Sequence, residues 1–221
     1  MEKQRFQTIS RQTPRLESVQ KAIGAGTYTD DLRMPDMAYA ELIRCPYSHA
    51  RVIAIDASQA EKIPGFLGIA TPEDAPQAFY NCSGNPPSAL LMKDERVLTS
   101  EPRTVGDRVA VVAAETRQAH ACAEAVRVQY EQLPVTLDVA AALSERAEPV
   151  QPQIAPEDNI AQRREVSQGS VEAGEAASDV IVEDHFLTPP MQHTMIELTG
   201  CIVDFSDGEH MTIYSCSQTV F

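Results

Sequence analysis

The sequence predicts an α+β fold, in which a mixed sheet with packed helices precedes the start of a β-rich region. The first observation is a strand–helix–strand order within residues 108–130. The second is an acidic, proline-containing stretch at about 146–170, and the third is a block of strand-like segments after residue 179. Because a sheet must bury one face against another layer, strands that alternate with helices predict helices packed on a sheet.

Short strands dominate the first part of the chain. Residues that favour strands fill three segments, Met37–Cys45, Arg51–Ile55 and Phe66–Ala70. A short helix is predicted at Ala57–Ile63, because the proline and glycine that follow it stop a helix.

Residues 108–130 carry the clearest periodicity. Arg108–Ala114 is apolar at both odd and even positions, which predicts a strand covered on both faces. Thr116–Ala125 is predicted to be a helix with one apolar stripe, formed by Ala119, Cys122, Ala123 and Val126 at helical spacing. Val126–Tyr130 then fits a returning strand.

Charge and proline content divide the chain into regions. Residues 138–184 contain eleven acidic residues against three arginines, a local net charge of −8. We therefore predict four regions: a lead-in at 1–19, an α/β domain at 20–145, an exposed linker at 146–170, and residues 171–221 as the start of a second domain.

The second block has three predicted strands, at Asp179–Leu187, Met195–Phe205 and His210–Ser217. The residues at 206–209, Ser-Asp-Gly-Glu, are typical of a hairpin turn between the last two. Two or three strands cannot bury a core by themselves, so we expect this domain to be incomplete in the present sequence.

Composition excludes several functions. A formal net charge of −14 and the absence of tryptophan argue against nucleic-acid binding. No apolar stretch approaches the roughly 18 residues that span a bilayer, and no apolar segment follows the basic N-terminus, so we expect a cytoplasmic protein without membrane contact. The five cysteines are scattered and form no C-x-x-C pair, which predicts buried free thiols rather than an iron–sulfur or zinc site.

Three motifs could suggest ligand binding. Gly24-Ala25-Gly26 lacks the third glycine of a dinucleotide loop and is predicted to be a turn. His193 and Glu197 would share a helical face, but their surroundings favour a strand, where four residues span roughly 13 Å and metal sharing is disfavoured. His49 is expected to bind the backbone of its own turn. We predict no metal ligand and no catalytic residue in this chain.

Several short motifs follow one another in a fixed order along the chain. They are Gly24-x-Gly26-x-Tyr28-x-x-Asp31, Arg44-Cys45-Pro46-x-x-His49, Pro64-Gly65-Phe66, Val105-Gly106-Asp107 and Tyr130-Glu131-x-Leu133-Pro134. Their order resembles the large subunit of the xanthine dehydrogenase and aldehyde oxidase family of molybdenum hydroxylases. The similarity covers about residues 18–145 and, less densely, 168–221, and the α/β part resembles the family's hammerhead domain.

The resemblance implies a cofactor contact near the end of the chain. Ser215-Cys216-Ser217-Gln218 is similar to the family's S-T-Q motif, whose glutamine approaches the molybdenum centre, so Gln218 is the one cofactor-binding residue we assign. Pro190-x-x-His193-x-x-x-Glu197 is similar to the entry into the molybdopterin-binding domain, where the glutamate is structural and not the catalytic base. The family's base glutamate and pterin loop lie downstream of such a motif.

The resemblance also implies partners. Molybdopterin would be held mostly by residues absent from this chain, which a complementary molybdopterin-domain chain or a missing C-terminal segment would supply. Iron–sulfur and FAD groups are expected on partner subunits. The implied reaction inserts water-derived oxygen into a purine, related heterocycle or aldehyde, and the isolated chain is expected to be inactive. The alternative is a non-catalytic hammerhead scaffold that docks redox or complementary chains.

Overall fold

A computed structural model describes residues 14–81, 93–144, 147–154, 157–160, 165–189, 191–195 and 197–217. They form two compact units. The large unit is Pro35–Phe186, and the split unit joins the described parts of Met1–Met34 and Leu187–Val220. The split unit therefore takes its residues from both sides of the large unit in the sequence.

Five strands of the large unit form two sheets, and in chain order they are β1 (Tyr39–Arg44), β2 (Ala50–Asp56), β3 (Phe66–Ala70), β4 (Arg108–Ala114) and β5 (Arg127–Gln132). The first sheet has the order β1-β4-β3, and the second pairs β2 with β5. All of these pairings are antiparallel. The predicted α+β class is confirmed, and the predicted strand at 66–70 has the expected bounds.

The helices are short, and in chain order they are α1 (Ser18–Ala22), α2 (Ala119–Ala125), α3 (Val139–Ala142) and α4 (Val171–Ala176). Two 3-10 helices lie at Thr29–Asp31 and Ala60–Lys62. The helix predicted at Ala57–Ile63 is thus wrong in type, since its last turn closes through i to i+3 hydrogen bonds before Pro64. No helix in the described ranges is long and apolar enough to cross a membrane.

The core of the large unit lies on both faces of β4. Val112 and Ala114 belong to one buried cluster with Ala119 and Cys122 of α2. Val109, on the opposite face, belongs to a second cluster with Cys45 and Ala50. The prediction of a doubly covered strand is confirmed, and two residues of the predicted apolar stripe of α2, at 119 and 122, are buried as expected.

Tyr130 of β5 covers the second cluster. Its ring meets that of Tyr47 edge to face, with centroids 5.4 Å apart. Burial raises the pKa of Tyr130 from 10.0 to about 12. Because the folded state disfavours the phenolate, the stability linked to this group is complete below pH 10 and is lost as the pH rises towards 12.

We therefore expect the midpoint of urea unfolding to fall between pH 10 and pH 11 more steeply for the native chain than for Tyr130→Phe, which cannot ionise. Ultraviolet difference spectra between the two proteins would follow the phenolate directly. A phenolate step with its midpoint near pH 10 would contradict the burial of this hydroxyl.

The split unit contains one antiparallel hairpin, formed by β6 (Cys201–Asp204) and β7 (Thr212–Ser215). The N–H of Gly208 donates to the carbonyl of Phe205 in the connecting turn, so the predicted hairpin is confirmed. Both strands are shorter than predicted.

The strand predicted at Asp179–Leu187 is wrong for the chain as described, since these residues form neither strand nor helix. Their apolar side chains are exposed, with Val182 at 83% and Leu187 at 89% of full exposure. A strand needs a neighbour to accept its backbone hydrogen bonds, and no described strand lies beside this segment. Residues 179–187 have the composition of a strand, but the described residues provide no strand for them to pair with.

Candidate functional site

Gln218 lies outside the described residues, three positions after the last residue of β7. The residues that lead to it, Ser215, Cys216 and Ser217, carry neutral hydroxyl and thiol groups. With the glutamine amide, this donor set suits an uncharged or anionic oxygen-rich group, to which each member can donate a hydrogen bond. The chemistry of the strand end therefore fits the cofactor contact that the sequence predicts.

Cys216 contacts the residues that precede β6, at the open end of the hairpin. The last residue pair of the β6–β7 ladder joins Cys201 to Ser215. Directly beyond it, the Cys216 thiol lies 3.5 Å from the carbonyl oxygen of Leu198 and 3.8 Å from that of Gly200, and it can donate to either. This contact lies beyond the last residue pair of the ladder.

The Glu197 carboxylate accepts hydrogen bonds from the N-terminal turn of the split unit. The backbone N–H and the hydroxyl of Thr29 both donate to its Oε1, at 3.2 and 3.3 Å. Thr29 begins a 3-10 helix that is closed by Tyr28 and Asp31, whose N–H and carboxylate are 3.0 Å apart. Two motifs of the sequence, separated by 168 positions, thus meet in one half-buried contact. Sequence reasoning did not single out Thr29, whose only signal was its place inside the first motif.

His193 does not join Glu197 in a site. It is exposed, and the described residues 191–195 around it form neither strand nor helix, so the strand predicted at Met195–Phe205 is shorter than expected and β6 starts only at Cys201. Among the residues that the structure describes, no group of three His, Cys, Asp or Glu side chains could hold a metal ion.

Asp207 closes the turn between β6 and β7. Its carboxylate accepts hydrogen bonds from the N–H groups of His210 and Glu209, at 2.8 and 2.9 Å. These two bonds, with a third from the His210 ring, lower the pKa of Asp207. The turn therefore favours the charged carboxylate and is stabilised above the normal titration range of an aspartate.

The Gly24–Gly26 segment is a turn, as predicted. It follows α1, and Gly24 has a positive φ of 73°, a conformation that glycine adopts without a steric penalty. The N–H of Ala25 donates to the carbonyl of Gln20 at 2.8 Å, which ends the helix. A helix precedes this turn where a dinucleotide loop would follow a strand.

In the large unit, the Arg44-Cys45 motif contacts the Val105-Gly106-Asp107 motif. The N–H of Cys45 donates to the carbonyl of Asp107, and the N–H of Gly106 donates to the carbonyl of Cys45, both at 2.8 Å. The Arg44 guanidinium donates to the carbonyl of Gly106 at 2.9 Å. Gly106 has a φ of +97°, which a side chain would strain. These motifs build the end of the sheet.

His49, in the Arg44–His49 motif, contacts the end of the Tyr130–Pro134 motif. Its Nδ1 lies 2.6 Å from the carbonyl oxygen of Pro134, and its own carbonyl accepts from the N–H of Leu133 at 3.0 Å. The expected contact with the backbone of its own turn is therefore wrong, because the end of β5 supplies a nearer carbonyl across the sheet.

The carboxylate of Asp107 is the centre of a set of hydrogen bonds to residues 103 and 104, here called the Asp107 clamp. It accepts from the N–H groups of Arg103 and Thr104 at 2.6 and 3.1 Å, and from the Thr104 hydroxyl at 2.7 Å. Asp107→Ala leaves these donors without their acceptor, so we expect the free energy of unfolding to fall by about 1–3 kcal/mol. Asp107→Asn should lose less, since one acceptor oxygen remains.

Urea unfolding followed by circular dichroism would measure both variants. Glu73→Ala, which removes an exposed carboxylate of the same unit, is the control and should change stability little. Equal stability of Asp107→Ala and the control would show that the clamp contributes nothing.

A polar cavity of about 70 Å³ lies beside this clamp. Arg108 crosses its wall and donates to Glu95 and to the Tyr80 hydroxyl, each at 2.9 Å. The buried Nε atoms of Arg96 and Arg103 have no hydrogen-bond partner among the described residues. The volume accommodates a few water molecules, which can satisfy such groups. Its size does not suit an organic cofactor.

The cysteines only partly follow the prediction. Cys45 and Cys122 are buried free thiols as expected, and burial raises the pKa of the Cys45 thiol. Cys201 is exposed and Cys216 is half-buried, which corrects the expectation for these two. Cys82 lies outside the described residues.

Comparison with known proteins identifies the class of this fold. Residues 23–134 match the family model described as aldehyde oxidase and xanthine dehydrogenase, a/b hammerhead domain. Residues 153–221 match the model of the molybdopterin cofactor-binding domain. The chain belongs to the aldehyde oxidase and xanthine dehydrogenase family, and the resemblance seen in its motifs is confirmed.

Curated relatives carry the same assignment. The xanthine dehydrogenase molybdenum-binding subunit of Escherichia coli O157:H7 is 32% identical over 209 residues, which are 92% of this chain and 27% of the relative. The nicotinate dehydrogenase large molybdopterin subunit of Eubacterium barkeri is 29% identical over 96% of this chain and 48% of its own. The chain thus spans about a quarter to a half of these relatives.

Solved structures agree on the fold. Aldehyde oxidoreductase from Desulfovibrio gigas superposes with a TM-score of 0.79 at 27% identity, over 92% of this chain and 23% of its own. Quinoline 2-oxidoreductase from Pseudomonas putida 86 gives the same TM-score of 0.79 at 23% identity, over 93% of this chain and 26% of its own. The second likeness shows the fold alone.

Proposed function

We propose that this chain is the N-terminal part of the molybdenum-binding subunit of a xanthine dehydrogenase-type oxidoreductase. Its substrates would be purines, related heterocycles or aldehydes, hydroxylated with oxygen from water. The observation that carries the proposal is the order of the two family matches, hammerhead then cofactor-binding domain, along one chain. A molybdenum-binding subunit is 32% identical to this chain over 92% of its length, which supports the same assignment.

The proposed cofactor is molybdopterin, which would supply the redox chemistry when bound. Gln218 would donate a hydrogen bond to it and orient it, since an amide offers two N–H donors and no charge. The remainder of the cofactor's contacts would come from residues beyond those of this chain.

The proposed partners are a chain or segment that completes the molybdopterin domain and subunits that carry iron–sulfur and FAD groups. The proposed domain limits are 20–145 for the hammerhead and 171–221 for the start of the cofactor domain, with a linker at 146–170. A cytoplasmic location belongs to the same proposal.

Complementation tests the proposal. The 221-residue chain would be co-expressed with a chain that carries the downstream part of a related molybdenum-binding subunit. We expect molybdenum in the purified complex and dye-linked oxidation of hypoxanthine or an aldehyde, while the chain alone shows neither. A complex without molybdenum and without activity would favour the scaffold alternative instead.

Gln218→Ala tests the assigned contact in the same complex. Loss of an orienting hydrogen bond next to a metal centre typically lowers activity or metal retention by about 10–100-fold. Gln168→Ala, at an exposed glutamine of the large unit, is the matched control. Full activity of Gln218→Ala would reject this residue as the cofactor contact.

A further inference from the structure

The region predicted as an exposed linker, at 146–170, contains two parts that differ in exposure. We call its described residues 147–154 and 157–160 the strap. More than half of the strap side chains are half-buried, namely those of Ala147, Pro149, Val150, Gln151, Ile154, Asn159 and Ile160. Beyond the strap, Val166 is 87% exposed. Because apolar side chains lose contact with water only where they pack, the strap lies against the large unit, to which it belongs.

Asn159 closes the strap on itself and on α3. Its Oδ1 accepts a hydrogen bond from the N–H of Val150 at 2.7 Å. Its Nδ2 donates to the carbonyls of Ala142 and Glu148, at 3.0 and 3.2 Å. Ala142 is the last residue of α3, and the final carbonyls of a helix need partners from outside it. One side-chain amide thus uses its acceptor and both of its N–H donors to hold the strap in place.

Two glutamines of the strap reach the polar cavity beside the Asp107 clamp. Gln151 and Gln153 both line this cavity. Nε2 of Gln153 donates to Oε2 of Glu101 at 3.3 Å, and the same oxygen lies 3.6 Å from Nη2 of Arg103. The Arg103 side chain is only 14% exposed, and its Nε is buried. The strap therefore borders the cavity where a charged side chain is shielded from solvent.

We propose that the strap is a cover of the polar cavity that Asn159 holds closed. The contact between Gln153 and Glu101 places the cover against the wall that Arg103 forms. The bonds that hold the strap are few, and single hydrogen bonds stabilise weakly, so the strap opens locally while the sheets stay folded. Opening admits water and small solutes to Arg103. This device is independent of the proposed cofactor contact.

Hydrogen exchange followed by nuclear magnetic resonance on the 221-residue chain tests the proposal. The readouts are the backbone amide of Val150 and the Nε–H of Arg103. After correction for intrinsic rates, Val150 should exchange roughly ten-fold more slowly than Val166, because its N–H is bonded to Asn159. Asn159→Ala should remove that difference. It should also speed exchange of the Arg103 Nε–H, since opening of the strap hydrates this buried group.

Three further variants separate the parts of the device. Asn159→Asp keeps an acceptor for Val150 but loses both donors and places a charge beside two carbonyls, so it should release the strap as Asn159→Ala does. Gln168→Glu adds the same charge at an exposed position beyond the strap and should change neither readout. Gln153→Ala removes only the contact with Glu101, so it should speed exchange at Arg103 while Val150 stays protected.

Equal corrected exchange of Val150 and Val166 in the native chain would overturn the proposal, because the strap would then not be held. Unchanged Arg103 exchange in Asn159→Ala or in Gln153→Ala would show that the strap does not cover the cavity. The same response in Gln168→Glu as in Asn159→Asp would also overturn it, since added charge alone would explain the release.

Amide signals of Val109 and Val112 report whether the large unit stays folded. Both should persist in every variant, because the strap lies outside the two buried clusters. Their loss in Asn159→Ala would overturn the proposal, since Asn159 would then support the whole unit and not a local cover.

Discussion

Val112→Asp should abolish the native fold of the large unit, while the same substitution at Val105 should leave it folded. Val112 is fully buried between the β1-β4-β3 sheet and α2, in contact with Ala119 and Cys122. No described cation lies in that cluster, so the new carboxylate would be buried without a partner. Such a change costs roughly 3–5 kcal/mol or more, which is comparable to the whole stability of a domain.

Val105 provides a matched control, because it has the same side chain and is 66% exposed. Both variants add one negative charge to a chain of net charge −14, so general charge repulsion is equal. Urea unfolding by circular dichroism would compare them. If the two variants unfold at the same urea concentration, the core around β4 is not what stabilises the large unit.

The apolar segment at Asp179–Leu187 should exchange its amide hydrogens far faster than β4 when the chain is alone. Its side chains at Val180 and Val182 are exposed, and the segment has no strand neighbour in the described structure. Amides in the centre of β4 are bonded on both sides to β1 and β3. Their exchange requires global opening, which slows it by roughly a thousand-fold or more at ~5 kcal/mol of stability.

Addition of the complementary chain described above should protect residues 179–187 and leave β4 unchanged. Apolar strand residues gain roughly 1.5–3 kcal/mol each when they become fully buried, so the segment has a strong tendency to pair once a neighbour is supplied. Hydrogen exchange with mass spectrometry would measure this. Strong protection of 179–187 in the chain alone would show that the segment needs no further strand.

Sequence patterns predicted the structure correctly where a single strand or helix buries its own apolar side chains. The apolar residues at both odd and even positions of Arg108–Ala114 predicted a strand covered on both faces, and the spacing of Ala119 and Cys122 predicted the buried face of α2. Both depend on side-chain period alone, which the sequence displays directly. The short 3-10 helix at Ala60–Lys62 escaped because the same residues suit either helix type.

Hydrogen bonds between residues far apart in the sequence could not be predicted from such patterns. The hydrogen bonds of Glu197 to Thr29 and of His49 to Pro134 join residues 168 and 85 positions apart, and neither leaves a periodic signal. Motif order was more informative, because it indicated the family before any contact was known. The residue that the family resemblance assigns, Gln218, lies outside the described residues, so its role stays a prediction.

The split unit has a consequence for the order in which the chain folds during synthesis. Its N-terminal part, up to Met34, is synthesised before the large unit but finds its partner only after Leu187 and the following residues are made. The large unit is synthesised in between and has its own core, so it can fold first. Its folding replaces a long flexible loop by an ordered body, which lowers the entropic cost of bringing Thr29 to Glu197. The large unit would then fold before the contact between Thr29 and Glu197 closes.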